Sequence, residues 1–234
     1  MRDLLVIIPS RGRPEQFAEV CGLIAKTARA QTDVYLCLDD DDPARPGYLA
    51  LVPIEQPTIL AETGPRLSMA AWTNKAAMTQ AGNYRALASI GDDHYPRTDG
   101  WDEKLLAALD EKGPGIAYPD DCNPRNYTTG PMVTAPVISS AIVTALGWMA
   151  HPGMRHYYID NVWEDLGRDA GCLYWLPDVK IEHLHPSVTG QAPDATYGDA
   201  MAAWDSDQQA FYAWREGQRA IDSATVKRIH DGAV

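Results

Sequence analysis

The chain has 234 residues, 45% of them hydrophobic and 22% charged, with 32 acidic against 20 basic side chains and a formal net charge of −12. That is globular composition, long enough to bury a core without disulfides or structural metals. The acidity argues against a protein that coats duplex DNA, whose affinity comes from neutralising phosphates. Anionic small ligands stay open, because a metal ion or a local basic cluster reverses the field inside one cleft. The four cysteines, Cys21, Cys37, Cys122 and Cys172, are scattered without a CxxC pair. With an apolar run after Asp3 too short for a signal segment or a membrane span, they predict a reducing, cytoplasmic setting and no membrane insertion.

In chain order, Leu4 to Ile8 is a continuous β-rich run, as expected of a strand covered on both faces. Pro9-Ser10-Arg11-Gly12-Arg13-Pro14 then makes a turn into a helix with Pro14 near its first position. Val34 to Leu38 is a second strand, stopped by the acidic run Asp39 to Asp42, and Thr58 to Leu60 is a short third. Ser68 caps a helix rich in small residues. Leu87 to Ile90 is a fourth strand, and Asp102 to Lys112 is an amphipathic helix. Repetition of strand and helix predicts right-handed crossovers and a mostly parallel central sheet flanked by helices. Ser10-Arg11, Asp39 and Asp92-Asp93 all fall at carboxyl ends of strands, where such sheets bind ligands.

The second half is less regular. Residues 119–131 read as a polar loop, in which Arg125 and Tyr127 are candidates to line a substrate cleft. A helix over about 140–148 and another opening at Asp160 follow. Leu173 to Leu176 and Val179 to Leu184 read as two strands joined by a Pro177-Asp178 turn. The last stretch is helical, which predicts one α/β domain over residues 1–200 with a C-terminal helical extension, 201–234, packed on it. That tail holds a local basic patch of Arg215, Arg219, Lys227 and Arg228.

The chemistry gathers in two motifs. Ile90-Gly91-Asp92-Asp93-His94 follows the fourth strand. A carboxylate there can hold a hard divalent cation that also binds two phosphate oxygens, while its neighbour accepts from a ribose. Alternatively, the two acids solvate a turn. Ile181-Glu182-His183-Leu184-His185-Pro186, followed at a distance by Asp194-Ala195-Thr196-Tyr197, is the second. Strand alternation puts His183 and His185 on one face, as metal ligand and phosphate donor or as structural residues. The run Asp39 to Asp42 lacks the alternating ligands of an EF-hand loop, and no Ser-His-acid set, P-loop, GxGxxG or zinc spacing occurs.

Taken in order, strand–PSRGRP–helix, strand–Asp39, Arg66 with Asn74, and strand–GDDH…GWD–helix, the chain resembles nucleotide-sugar glycosyltransferases of the GT-A fold over roughly residues 4–200. It is similar in particular to small family-two-like enzymes encoded by bacteriophages. The resemblance implies transfer of a sugar from a nucleoside-diphosphate sugar, most often a UDP-sugar, to a hydroxyl acceptor. A modified DNA base, a protein or a glycan would be that acceptor, in a host cytoplasm. It assigns Pro9, Ser10, Arg11 and Asp39 to the nucleotide and Arg66 with Asn74 to the diphosphate. Asp93 with His183 or His185 would bind Mn2+ or Mg2+, with Asp92 as the ribose or phosphate neighbour and His94 as a bystander. The family's Asp-any-Asp motif has Gly91 in its first position here. Asp160 matches the position of the catalytic base, and is equally an N-cap for the helix it opens. Asp120 and Asp121 are alternative bases or binders of donor sugar hydroxyls. A nucleotide-sugar-binding protein without turnover and a nucleotidyltransferase are the rival readings. The second of these would carry a glycine- and lysine-rich loop where this chain has PSRGRP.

Overall fold

The computed structural model describes residues 1–52, 57–124, 132–190 and 195–232. Arg125, Tyr127 and Asp194 lie outside the described residues. The first half follows the predicted alternation: strand β1 (Arg2–Pro9), helix α1 (Pro14–Thr27), β2 (Thr32–Asp39), α2 (Arg45–Leu49), β3 (Thr58–Gly64), α3 (Met69–Gln80), β4 (Tyr84–Ser89), β5 (His94–Pro96), α4 (Trp101–Lys112) and β6 (Ile116–Asp120). Then come β7 (Val137–Ser139), α5 (Ser140–Leu146), α6 (Ile159–Ala170), β8 (Leu173–His183), α7 (Pro186–Thr189), α8 (Ala195–Met201), α9 (Trp204–Gly217) and α10 (Arg219–His230).

One curled eight-stranded sheet in the order β3-β2-β1-β4-β7-β6-β8-β5 runs through the molecule. Strands β3, β2, β1 and β4 are mutually parallel. β7 runs antiparallel to both β4 and β6, and β5 antiparallel to β8. Leu4 to Ile8 of β1 have no exposed surface, and α1 lays Phe17, Val20, Cys21 and Ile24 into the same core. α3 packs on β1 and β2, α5 on β4, and α10 on α5 and α6. Phe211, Trp214 and Val226 of the last two helices join the core.

Four expectations change. The predicted strand pair with a turn at Pro177-Asp178 is a single strand, β8. Its first part pairs with β6 in parallel, and the register then jumps from Pro119↔Leu176 to Asp120↔Lys180. Proline has no N–H for the ladder, so Pro177 is accommodated in a bulge, which bends the strand instead of reversing it. The bent half then accepts β5, which the sequence does not announce, because three residues are too few for a periodic signal. α2 is likewise unannounced, and β3 continues to Gly64 because it pairs with β2 along its whole length. All four cysteines are free, and burial pushes the Cys21 thiol up to about 12. Among the described residues no helix is long and apolar enough to cross a membrane.

Candidate functional site

Because β1, β2 and β4 are parallel, Pro9, Asp39 and Ser89 end at the same edge of the sheet. A cavity of about 540 Å³ opens there. Its wall includes Pro9, Ser10, Arg11, Asp39, Arg66, Asp92, Asp93, Asp121, Asp160, His183 and His185. Asn74 and Asp120 are not on it. The Asn74 amide donates to the Ala150 carbonyl (2.6 Å) and accepts from Met149 and Ala150 N–H (2.7 and 2.8 Å), pinning that loop to α3. Asp120 is buried, paired with Lys180, and accepts from Cys122 N–H (2.8 Å).

The two acids of the GDDH motif have different surroundings. Asp92 is buried and fully engaged: Ser10 Oγ donates to one oxygen, and Arg13 Nη1 lies 3.0 Å from the other. Tyr48 Oη in turn sits 2.8 Å from Ser10 Oγ and accepts from Arg13 N–H (2.7 Å). Burial pushes Asp92 up to about 6 against the pull of Arg13 and Ser10. The network ties the β1–α1 turn to the motif.

Asp93 faces a ring of donors. Burial alone would raise its pKa, but hydrogen bonds with His183 and His94 outweigh that and hold it well below the usual carboxylate range. His94 Nδ1 is 2.9 Å from one oxygen and His183 Nε2 3.5 Å from the other, which also accepts from Tyr197 Oη. Burial, the Asp93 charge and the hydrogen bond to it push the Tyr197 phenol up, so it stays a donor. The ring of Tyr197 lies 4.5 Å beneath the Arg13 guanidinium.

His94 is part of this cluster, not a bystander. Antiparallel pairing of β5 with β8 sets His94 opposite His183, and their rings stack 3.9 Å apart. Asp93, His94 and His183 offer ligand atoms within 4.8 Å of one another. Burial and the neighbouring His94 ring lower the His183 pKa, which favours the neutral, metal-ligating form. His94 Nδ1 faces both the Gly91 N–H (3.1 Å) and the Asp93 carboxylate. Gly91 N–H donates to Nδ1, and the buried Nε2 has no hydrogen-bond partner among the described residues. One carboxylate and two imidazoles suit a borderline-hard divalent ion such as Mn2+. His185, two residues past the strand, packs edge-on to His183 and Tyr197 at 5.4 Å.

The structure also accounts for Gly91. A Cβ there would collide with the Asp93 carboxylate and lie 3.0 Å from His94 Nδ1. An acid in this position would fill the space that Asp93 needs. Gly91→Ala is expected to cost ~1–3 kcal/mol by overpacking, read from the denaturant midpoint. An unchanged midpoint would show that the Asp93 carboxylate moves aside freely.

The nucleotide-side residues are cross-braced. Asp39 accepts from Trp72 Nε1 (2.7 Å) and Leu67 N–H (3.1 Å) and pairs with Arg11 (3.0 Å). Arg66 pairs with Asp199 of α8. Asp160, also on the cavity wall, is not the cap of α6: Tyr158 holds that place, with φ 66°. Asp160 sits in the first turn and accepts from Asn161 N–H (2.9 Å). Burial pushes it up to about 6. Three of the four basic residues of the tail are ion-paired, Arg215 with Asp165, Arg219 with Asp169 and Lys227 with Asp231, while Arg228 donates to Thr225 Oγ1 (3.0 Å). Arg13 and Tyr48 receive no role from sequence reasoning, and His94 and Tyr197 none beyond their motifs, because the decisive partners lie far along the chain.

No protein-family model and no curated protein matches the sequence. Solved structures that resemble it include glycosyltransferases. TarS of S. aureus, residues 1–349, superposes with a TM-score of 0.61 at 12% identity, over 76% of this chain and 59% of that one. The mannosyltransferase PcManGT from Pyrobaculum calidifontis, in complex with GDP-Man and Mn2+, gives 0.63 at 12% identity over 100% and 77%. GalNAc-T7 with UDP, GalNAc and Mn2+ gives 0.61 at 12% identity over 99% and 55%. This chain therefore spans less than two thirds of the TarS and GalNAc-T7 chains. At such identities the likeness establishes architecture, and the chain has the GT-A fold expected from its sequence.

Proposed function

We propose that this protein is a metal-dependent glycosyltransferase, taking a sugar from a nucleoside-diphosphate sugar, foremost a UDP-sugar, to a hydroxyl acceptor. The observation that supports this most is the Asp93–His94–His183 cluster at the carboxyl edge of the parallel strands, inside a cavity of about 540 Å³. The ligands of the structural relatives agree with it: TarS has been solved with UDP-GlcNAc, GalNAc-T7 with UDP and Mn2+, and PcManGT with GDP-Man and Mn2+.

In this reading Asp93, His94 and His183 hold Mn2+ or Mg2+, with His185 beside them. When bound, the ion neutralises charge on the departing diphosphate. Pro9, Ser10, Arg11 and Asp39 form the nucleotide pocket, and Asp92 fixes its Ser10–Arg13 edge. Arg66 exchanges Asp199 for phosphate oxygens, which its planar fork suits. Asp121 faces the sugar. Asp160 takes the proton of the acceptor hydroxyl, and a carboxylate near 6 is better matched to that task than an ordinary one. The ion pairs of Arg215, Arg219 and Lys227, with the net charge of −12, favour a protein or glycan acceptor over nucleic acid.

Thermal denaturation with UDP or GDP, each with and without Mn2+, tests the reading. Saturation at about 100 times Kd adds ~2.7 kcal/mol and raises Tm by several degrees. The expected result is a rise with UDP that needs Mn2+. No rise with either nucleotide in the presence of Mn2+ overturns the proposal.

A further inference from the structure

The chain enters α6 through a backbone conformation that its contacts with α9 hold in place. Tyr158 has φ 66°, and apart from Cys122 it is the only described non-glycine residue with positive φ. A bulky residue there is strained, and such strain persists only where the surroundings impose it. Four residues of α9, Trp204, Asp207, Gln208 and Phe211, do so, at the i, i+3, i+4, i+7 spacing of a single helix face.

Asp207 is 1% exposed and accepts three consecutive backbone N–H groups: Arg155 (2.9 Å), His156 (2.8 Å) and Tyr157 (2.8 Å). Gln208 Nε2 donates to Tyr158 Oη (2.7 Å). The Phe211 ring stacks on Tyr158 at 5.0 Å, and Trp204 sets its ring 4.8 Å from Tyr157 and 5.4 Å from Tyr158. From the other side, Ala70 N–H donates to the Arg155 carbonyl (3.1 Å). Two residues after Tyr158 comes Asp160, on the cavity wall. Asp207 itself is not on that wall.

We propose that Asp207, supported by Gln208, is a positioning residue: it fixes residues 155–158 so that the Asp160 carboxylate is presented inside the cavity. The inference rests on the glycosyltransferase reading for the meaning of Asp160, while the geometry is independent of it. A carboxylate suits the task because it offers acceptors only. Asparagine in the same place would turn an NH2 donor toward one or more of the three N–H groups, and the loop would have to move. Displacements of about 1 Å near a reacting group cost on the order of 100-fold in rate.

The test uses Asp207→Asn and, as a milder change, Gln208→Leu, each checked for a cooperative melt. Titration of the Asp160 carboxyl by NMR needs no substrate. Its midpoint is expected to fall in Asp207→Asn from about 6 toward the ordinary ~3.9 as the group leaves its half-buried place on the cavity wall. Mn2+-dependent UDP affinity is expected to stay within ~2-fold, while kcat for release of sugar from the donor falls ~10- to 100-fold at unchanged donor KM. Gln208→Leu shows the same pattern, reduced to ~3- to 10-fold. An unmoved Asp160 midpoint, or a lowered Tm with wild-type kcat, overturns the positioning role. A parallel loss of donor affinity overturns it too. Failure of the wild-type protein to bind nucleotide with Mn2+ overturns the glycosyltransferase reading instead, and the Asp160 titration still decides the positioning.

Discussion

Asp93→Ala is expected to abolish Mn2+-dependent nucleotide binding, a loss of at least ~100-fold or ~2.7 kcal/mol, while leaving the fold intact. Asp93 is the carboxylate on which His94, His183 and Tyr197 converge. Without it the two stacked imidazoles lose both their anionic partner and the hard oxygen of the site. Two neutral nitrogens make a poor site for Mn2+ or Mg2+. The fold survives because Asp93 lies at the rim of the sheet, outside the apolar cluster that holds the strands together. Calorimetric titration of UDP with and without Mn2+ reads the effect, with far-UV circular dichroism as the control. Unchanged UDP affinity in the presence of Mn2+ would sink the metal assignment.

Asp160→Asn is expected to leave nucleotide binding nearly intact and to lower transfer by ~10²- to 10⁴-fold, the range of a lost general base. The wild-type rate should rise with pH through about 6, as the carboxyl loses its proton, and level off above. The variant should lack that limb. Stability moves the other way. The carboxyl titrates near ~3.9 when unfolded and about 6 when folded. The folded state thus binds the proton more tightly, and ionising Asp160 costs stability as pH rises from about 4 through 6. At pH 7 the amide is therefore expected to raise Tm, as when a group is retained for activity at the expense of stability. Wild-type turnover in this variant would eliminate Asp160 as the base.

The predicted strands β1, β2 and β4 and helices α1, α3 and α4 are legible because their signals are local. An apolar run between turn residues, or apolar positions at helical spacing, specifies an element whatever its neighbours. Repetition of those elements places Ser10, Asp39 and Asp92-Asp93 at one sheet edge, since parallel strands need crossovers. The helical tail is also legible, but not the strained turn at Tyr158 that α9 imposes. Gly91 reads in the sequence as a missing acid, whereas in the structure it is the space that the Asp93 carboxylate occupies.

What only the folded chain decided is which side chains complete the site. Arg13 meets Asp92 across 79 residues, Tyr197 meets Asp93 across 104, and His94 meets His183 through a three-residue strand. Asp207 reaches the Arg155 backbone across 52 residues. None of these pairs leaves a periodic trace, because the contacts are set by the pairing of β1 with β4, the bend of β8 at Pro177 and the packing of the last helices. Local sequence determines the elements and the edge of the sheet. Closure of the chain on itself determines the donors, the charges and the strain that turn that edge into a site.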